Sequence, residues 1–269
     1  MTDHKELVRE FWNDRAKCGE TAGSNDFMLK QLEEKVILDR VPAGARVLDV
    51  GCGNGSTLVR LAKEKSCTGL GLDYADALLE LALRAADEQG VRDKLVFMKR
   101  NVLELGDDLG QFDHIMTQRC LINLETAEEQ CRAFAGIVRL MKPGACYYMI
   151  EAFHDGNRAL NTLRDILHLE PMVAPWHNRF FEMAEVLDWE KSHPVTVREV
   201  SHFASTYYFL SRVVYAKCAS DRGEPLHYDS DINRLSLQLP PMGEFGATKL
   251  IVWRRNASQS QGGRTHGKQ

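Results

Sequence analysis

The stretch VLDVGCGNGST, residues 47–57, is the most informative part of the sequence. It begins as a short apolar run, continues with glycines at every second position, Gly51, Gly53 and Gly55, and leads into the helical pattern STLVRLAKEK. This order predicts a buried strand, a tight loop and a helix. Loops at the carboxyl ends of strands are where open parallel sheets bind ligands. A dinucleotide loop reads G-x-G-x-x-G, whereas the third glycine here comes one residue early, so the spacing alone leaves the ligand open.

Two carboxylates beside this loop restrict the kind of ligand that it can bind. Asp49 lies in the apolar run, and Asp73 ends a second predicted strand, CTGLGLD, 22 residues after Gly51. An acid at position 49 would repel a pyrophosphate and attract an ammonium group. The spacing of Asp73 suits a carboxylate that accepts hydrogen bonds from two ribose hydroxyls. A ligand with an ammonium group, a free ribose and no phosphate is S-adenosylmethionine (SAM), which is therefore the predicted cofactor.

Strand and helix patterns alternate after this loop. The strand patterns LVFMKRN, FDHIMTQ and CYYMIEAF are separated by the helical patterns ADALLELALRAADEQG and TAEEQCRAFAGIVRLMKPG. Asp76 is predicted to cap the first of these helices, Thr126 with Glu129 to cap the second, and the segment 142–144 to end it. Two further strand patterns, VTVREVSHF and TKLIVWRR, follow later. We predict an α/β fold with a Rossmann-like, mostly parallel seven-stranded sheet and helices on both faces.

The predicted organisation has five parts. Residues 1–40 form an N-terminal helical cap, and 41–152 form the SAM-binding Rossmann-like core. Residues 153–195, in which the alternation stops, form a helical lid inserted after strand 5. Residues 196–255 supply the C-terminal strands that complete the sheet. The polar, glycine-rich segment 256–269 is predicted to be a disordered tail.

Composition restricts the function classes. The formal net charge of the 269 residues is −4, with no basic run, which argues against a nucleic-acid partner. The sequence has no apolar run of about 18 residues, and its beginning lacks the apolar core of a signal peptide, so we predict no membrane span and a cytoplasmic location. Seven cysteines without a C-x-x-C pair predict neither a disulfide framework nor a metal site. Composition leaves the oligomeric state open.

The motifs VLDVGCGNGST and GLGLDYA together resemble those of the class I SAM-dependent methyltransferases, over about residues 40–152. The resemblance implies a glycine loop that contacts the methionine and ribose parts of the cofactor, a ribose-binding acid, and residues around the adenine. It also implies that the residues after the fourth strand meet the methionine end. The positions it assigns are Gly51, Gly53, Asn54 and Gly55 for the loop, Asp73 for the ribose, Tyr74, Asn101 and Val102 for the adenine, and Gln118 and Arg119 for the methionine end.

Four further segments are similar to a narrower group. FWNDRA, QRCLINLETAEEQ, APWHNRFFE and STYYFLSRVVY resemble segments of bacterial methyltransferases associated with polysaccharide and other sugar-modifying gene sets. This similarity implies a sugar acceptor and places Trp12 and Arg15 in a helical lid over the cofactor. For Trp12 the alternative is a core contact of the N-terminal helix.

Methyl transfer to a hydroxyl benefits from a general base, and the segments after strands four and five supply candidates. Glu151 and His177 are the predicted catalytic bases, with His154 as another. Arg119 is predicted to bind an anionic acceptor group, and the alternative is that it pairs with Asp113, Glu151 or another acid. Glu151 could instead form a salt bridge or cap a helix, and His177 could pack in a lid loop. Arg212 could bind an anionic acceptor, and the aromatic residues 207–209 could line its pocket or belong to the core.

The predicted function is SAM-dependent O-methylation of a sugar or another small metabolite. A nucleic-acid amino-methyltransferase would carry Pro-Pro-Tyr after the fourth strand, where this sequence reads TQRCLINL. Two alternatives share every cofactor residue: N-methylation of an amino sugar or small amine, and a non-catalytic SAM-binding module.

Overall fold

The computed structural model describes residues 4–257 and contains one seven-stranded sheet in the order β3-β2-β1-β4-β5-β7-β6. Strand β7 runs antiparallel to both of its neighbours, and the other pairings are parallel. The predicted mostly parallel seven-stranded sheet is thereby confirmed. The strands are β1 Arg46–Val50, β2 Thr68–Asp73, β3 Leu95–Lys99, β4 Phe112–Gln118, β5 Met141–Ala152, β6 Val195–Ser201 and β7 Thr248–Arg255.

Helices cover both faces of the sheet. They are α1 His4–Arg15, α2 Phe27–Leu38, α3 Ser56–Lys65, α4 Asp76–Glu88, α5 Ala127–Arg139, α6 His154–Ile166, α7 Met183–Asp188, α8 Ser205–Phe209, α9 Tyr215–Arg222 and α10 Asp231–Ser236. Neighbouring residues of a strand point to opposite faces, and each face has its own core. Val47 packs with α2 and α3, whereas Leu48 packs with Phe134 of α5.

Local sequence explains most element boundaries. The side chain of Thr126 accepts a hydrogen bond from the Glu129 N–H, 3.1 Å, so the predicted cap of α5 forms. The cap predicted at Asp76 is wrong, because α4 already includes Asp76 and Ala75 precedes it as the N-cap residue. Residues 142–144 were predicted to end a helix but belong to the start of β5, a position in a strand where a proline is tolerated.

The segments outside the central alternation are mostly helical. Residues 153–195 contain α6, α7 and a short 3₁₀ turn, and Phe153 pairs with Phe181 in an isolated bridge. A π-helical turn, Leu210–Val214, joins α8 to α9. The predicted tail lies, from residue 258 onward, outside the described residues. Among the helices of residues 4–257, none is both long and apolar enough to cross a membrane.

Candidate active site

A cavity of about 300 Å³ lies at the carboxyl ends of β1, β2 and β4, the edge at which parallel sheets bind ligands. Its wall combines the glycine loop with the beginnings of the segments after β2, β3 and β4. Helices α1 and α2 supply the opposite side. Ten of the sequence-predicted residues line it: Trp12, Gly51, Gly53, Asn54, Asp73, Tyr74, Asn101, Val102, Gln118 and Arg119.

The glycine loop needs its glycines for conformation and for space. Gly51, Gly53 and Gly55 all have positive φ angles, of 75°, 54° and 71°. A Cβ on Gly51 would lie 2.4 Å from the Cys120 Sγ atom, and a Cβ on Gly55 would lie 2.8 Å from the Ala82 Cβ atom. The loop is therefore pressed between the segment after β4 and helix α4. Gly55 is the N-cap residue of α3 and does not border the cavity in the described part of the chain.

Asp73 is held in place by the backbone. Its carboxylate accepts hydrogen bonds from the Gly53 N–H, 2.8 Å, and the Ala75 N–H, 2.9 Å. Burial raises the pKa of this carboxyl group above its usual range, and the N–H donors oppose the shift. The side chain thus joins the glycine loop to the end of β2 and keeps acceptor capacity for two hydroxyl groups.

Side chains at the two ends of the cavity are oriented by local hydrogen bonds. The Asn101 Oδ1 atom accepts a hydrogen bond from the Leu103 N–H, 2.9 Å. Gln118 donates through Nε2 to the Thr57 hydroxyl, 2.8 Å, and so connects the end of β4 to helix α3. Both arrangements fix polar groups on the cavity wall before a ligand binds.

Arg119, the first residue after β4, has strained backbone. Its φ is 53°, a left-handed value that residues other than glycine rarely adopt. The Arg119 Nε atom lies 3.0 Å from the Oε1 atom of Glu33 on helix α2, and both residues line the cavity. Strained backbone of this kind is concentrated at functional sites, where the surrounding structure holds it.

Helix α1 lies against the cavity as a cover. Lys5, Glu6, Val8, Arg9 and Trp12 contribute to the wall. The Trp12 indole donates to the Asn123 Oδ1 atom, 3.1 Å, and the Lys5 ammonium lies 2.7 Å from the Glu129 carboxylate. Each of these two contacts joins α1 to the region after β4.

Asp49 lies behind the loop instead of on the cavity wall. Its side chain is 1% exposed, and neither of its carboxylate oxygens has a hydrogen-bond partner among the described residues. Burial, with a smaller contribution from Asp73, raises the pKa of Asp49 to about 8. The group is then largely protonated at neutral pH, so its position does not support the predicted attraction of an ammonium group.

Glu151 binds the backbone of the segment after β4 instead of facing the cavity. Its carboxylate accepts hydrogen bonds from the N–H groups of residues 120–122, at 3.0 to 3.2 Å, and it lies outside the cavity wall of the described chain. Burial raises its pKa to about 7 although the three donors favour the ionised form. This geometry supports the cap that the sequence left open as the alternative to a catalytic base.

His177 and Arg15 also lie away from the wall, as far as residues 4–257 are concerned. The His177 ring packs 4.3 Å from the Phe11 ring and 5.8 Å from that of Trp12, between centroids, and burial lowers its pKa. Arg15 donates to the carbonyl groups of Thr21 and Ala22 and shapes the loop that precedes α2. Both side chains therefore contact the N-terminal helical cap without bordering the cavity formed by the described residues.

The other acceptor candidates belong to the core. The Tyr207 hydroxyl donates to Asp26, 2.5 Å, and Asp26 also pairs with Arg212. The Tyr208 hydroxyl bonds the Thr248 hydroxyl, 2.8 Å, and His154 packs against Phe180 at the start of α6. No residue of 153–257 borders the cavity.

The wall also contains residues to which sequence reasoning assigned no individual role, among them Lys30 and Glu33 of α2, and Cys120 and Asn123 of the segment after β4. A signal existed for Glu33, because it lies four residues after Leu29 and three before Val36, on the apolar face of α2. Asn123 gives no comparable signal. Its Oδ1 atom accepts from Trp12 and from Asn178, and such a contact depends on distant parts of the chain.

Comparison with known proteins agrees with this geometry. Residues 47–144 match the family model described as a methyltransferase domain. The ubiquinone biosynthesis O-methyltransferase of Coxiella burnetii is 24% identical over 204 residues, which are 75% of this chain and 83% of that protein. The demethylmenaquinone methyltransferase of Lactiplantibacillus plantarum is 32% identical over 111 residues, 40% of this chain and 46% of its relative.

A solved structure with a similar fold is the magnesium protoporphyrin IX methyltransferase (ChlM) of Synechocystis PCC 6803 with bound S-adenosylhomocysteine (SAH). Its TM-score is 0.58 at 16% identity, and the match covers 94% of this chain and 100% of that one. The family match over residues 47–144, the methyltransferase relatives and the glycine loop beside Asp73 together support a class I SAM-dependent methyltransferase.

Proposed function

We propose that this methyltransferase transfers the methyl group of SAM to a hydroxyl oxygen of a small polar acceptor, a sugar or another small metabolite. The observation that carries this proposal is the cavity of about 300 Å³, whose wall mixes apolar side chains with carboxylate, guanidinium and amide groups. Such a wall suits a small ligand with several polar groups. The name of the Coxiella burnetii relative supports oxygen as the atom methylated.

In this proposal the cofactor lies along the edge of the sheet. Asp73 would accept the ribose hydroxyls, Tyr74, Asn101 and Val102 would surround the adenine, and Gln118 would border the methionine end. Residues 1–40 would form the cap, with α1 over the ligand and Trp12 tied to Asn123. When bound, SAM supplies an electrophilic methyl group on a good leaving group. The protein then has to align the acceptor, exclude water and take up a proton.

A panel of acceptors tests the atom and the substrate class. Purified protein is incubated with methyl-labelled SAM and with hydroxylated sugars and nucleotide sugars, phenols, and amines of similar size. We expect label on oxygen in at least one hydroxyl compound, detected by mass spectrometry. Label on amine nitrogen alone would contradict the oxygen assignment. Binding of SAM with no labelled product from any class would favour a binding module.

The variant Asp73→Asn tests the proposed cofactor site, and Asp76→Asn is the matched control. Both changes replace a carboxylate by an amide, but Asp76 is the first residue of α4, is exposed and pairs with Lys99 outside the cavity wall of the described residues. Loss of a charged acceptor for the ribose should weaken SAH binding at least about tenfold. We expect the control to stay within about twofold, measured by titration calorimetry. Equal affinities for the two variants would remove Asp73 from the site.

A further inference from the structure

A hydroxyl acceptor must lose its proton, and the bases predicted from the sequence lie outside the cavity wall of the described chain. No histidine between residues 4 and 257 borders the cavity. The carboxylates that do are Glu6, Glu33 and Asp73. These three are the side chains of the wall whose ordinary pKa values leave them ready to accept a proton at neutral pH, because Lys, Tyr and Cys are ordinarily protonated there.

Two of the three carboxylates have other partners. Asp73 accepts two backbone N–H groups and is assigned to the ribose. Glu6 lies on α1, partly exposed, and pairs with Arg9 one turn further along the helix. A rim carboxylate that pairs with its helix neighbour is solvated and has no reason to be a stronger base than a free one.

Glu33 differs from both. Its side chain is 1% exposed, and its Oε1 atom faces the Arg119 guanidinium at 3.0 Å. The two atoms form a buried ion pair, and neither of them makes a further hydrogen bond with another residue of the described ranges. A carboxylate can accept more than one hydrogen bond, so Glu33, which is a residue of the cavity wall, can accept another from a ligand while it stays paired with Arg119.

We propose that Glu33 is the general base of the methyl transfer: its carboxylate faces the methyl group to be transferred and receives the proton of the acceptor hydroxyl. The inference rests on the proposed function. In the step, the acceptor O–H bond breaks and its proton goes to Glu33, while the oxygen bonds the methyl carbon. The electron pair of the broken S–CH₃ bond stays on sulfur, and Glu33 later releases its proton to water.

The surroundings of Glu33 fit this role. Burial raises its pKa above the usual value, with smaller opposing contributions from nearby cations, which moves the group toward the range of a base that works near neutral pH. Arg119, held in its left-handed conformation, orients the carboxylate. The charged or titratable groups that face Glu33 come from α2 and the residue before it, the loop after β4, and α8: Asp26, Lys30, Glu34, Arg119 and Tyr208.

Two cofactor analogues test the position of Glu33 without an acceptor. SAH lacks the transferred methyl group, and sinefungin carries a C–NH₃⁺ group where the S–CH₃ group would be. If Glu33 faces that point, Glu33→Gln should lower the affinity for sinefungin about tenfold or more, while the affinity for SAH changes by less than about threefold. Calorimetry gives both dissociation constants.

The matched control is Glu34→Gln, the next residue of α2. Glu34 is also buried, but it binds Ser56 and Arg60 and lies outside the cavity wall formed by the described residues. We expect its ratio of SAH to sinefungin affinity to stay within about twofold of the wild-type ratio. In the wild-type protein, the preference for sinefungin should itself fall as the pH is lowered and Glu33 is protonated. That measurement needs no variant and stands even if Glu33→Gln does not fold.

The outcomes separate the two proposals. Equal weakening of both analogues by Glu33→Gln would place the carboxylate at a part that the analogues share, and would overturn its role as the base. An unchanged ratio in the variant, or a ratio independent of pH in the wild type, would also overturn it. If the wild-type protein bound neither analogue, the proposed function itself would fail. Binding of both would leave that function intact whatever Glu33 does.

Discussion

Gly51 excludes a side chain for two separate reasons, its positive φ and the closeness of Cys120. Gly44 has nearly the same φ, 73°, but a Cβ there would meet no atom within 4 Å. Gly44→Ala should therefore cost only the left-handed strain, about 1–2 kcal/mol of unfolding free energy. Gly51→Ala should cost a further 1–3 kcal/mol, roughly, because the added atom overlaps Cys120.

Urea unfolding of the two variants measures this difference, and SAH titration measures its effect on the site. We expect only Gly51→Ala to weaken SAH binding, since Gly44 lies in the turn before β1. Equal losses of stability in the two variants would mean that Cys120 moves aside at little cost in free energy. The loop would then be packed less tightly than its distances indicate.

At the scale of the element, helix α1 depends on few contacts. Only Val8 of its described residues is buried, and Trp12 provides a hydrogen bond to the segment after β4. Trp12→Phe keeps an aromatic ring but removes this donor, which is worth about 0.5–1.5 kcal/mol. We expect SAH to dissociate several-fold faster in stopped-flow experiments, because α1 would cover the cavity less firmly.

Trp176→Phe is the control for this change. Trp176 belongs to the aromatic cluster that it forms with Phe11, Trp12 and His177, and its ring centroid lies 5.9 Å from that of Phe11. It is largely exposed and lies outside the cavity wall of residues 4–257. Its SAH dissociation rate should match that of the wild-type protein. Faster release from both variants would assign the effect to the cluster and not to the hydrogen bond.

The elements differ in how far the sequence predicts them. The strands, the glycine loop and Asp73 follow from local pattern, because burial periodicity and left-handed turns are properties of a few neighbouring residues. The places of Glu151 and His177 could not be predicted in this way. Both depend on packing between segments distant in sequence, and the same side chain can serve as a base or as a cap. Glu33 could not be predicted from local pattern alone, because a glutamate on a helix is usually exposed to solvent.

For the molecule as a whole, buried acids should make stability fall as pH rises. The pKa of Asp49 is about 8 when folded and 3.8 in an unfolded reference. Between these values the folded state retains a proton that the unfolded state has released, so each added pH unit lowers the free energy of unfolding by up to about 1.4 kcal/mol. Glu33, Asp73 and Glu151, also buried with raised pKa values, act in the same direction.

Asp49→Asn isolates one part of this effect. The amide does not titrate, so the variant should lose stability less steeply than the wild-type protein between pH 5 and pH 7. Urea unfolding at three pH values in this range gives the two slopes. Parallel slopes would mean that Asp49 is ionised in the folded protein and that water or a counter-charge reaches it.

The buried contact between Asp26 and Arg212 has a consequence for the order in which the chain acquires its structure. The two residues are 186 positions apart. At 5–20 residues per second, a ribosome needs on the order of ten to forty seconds to make the residues between them. The N-terminal helices are thus made first and anchored late. During that interval their apolar surface, including Met28, Leu29 and Ile37, has no finished sheet to cover and is available to chaperones.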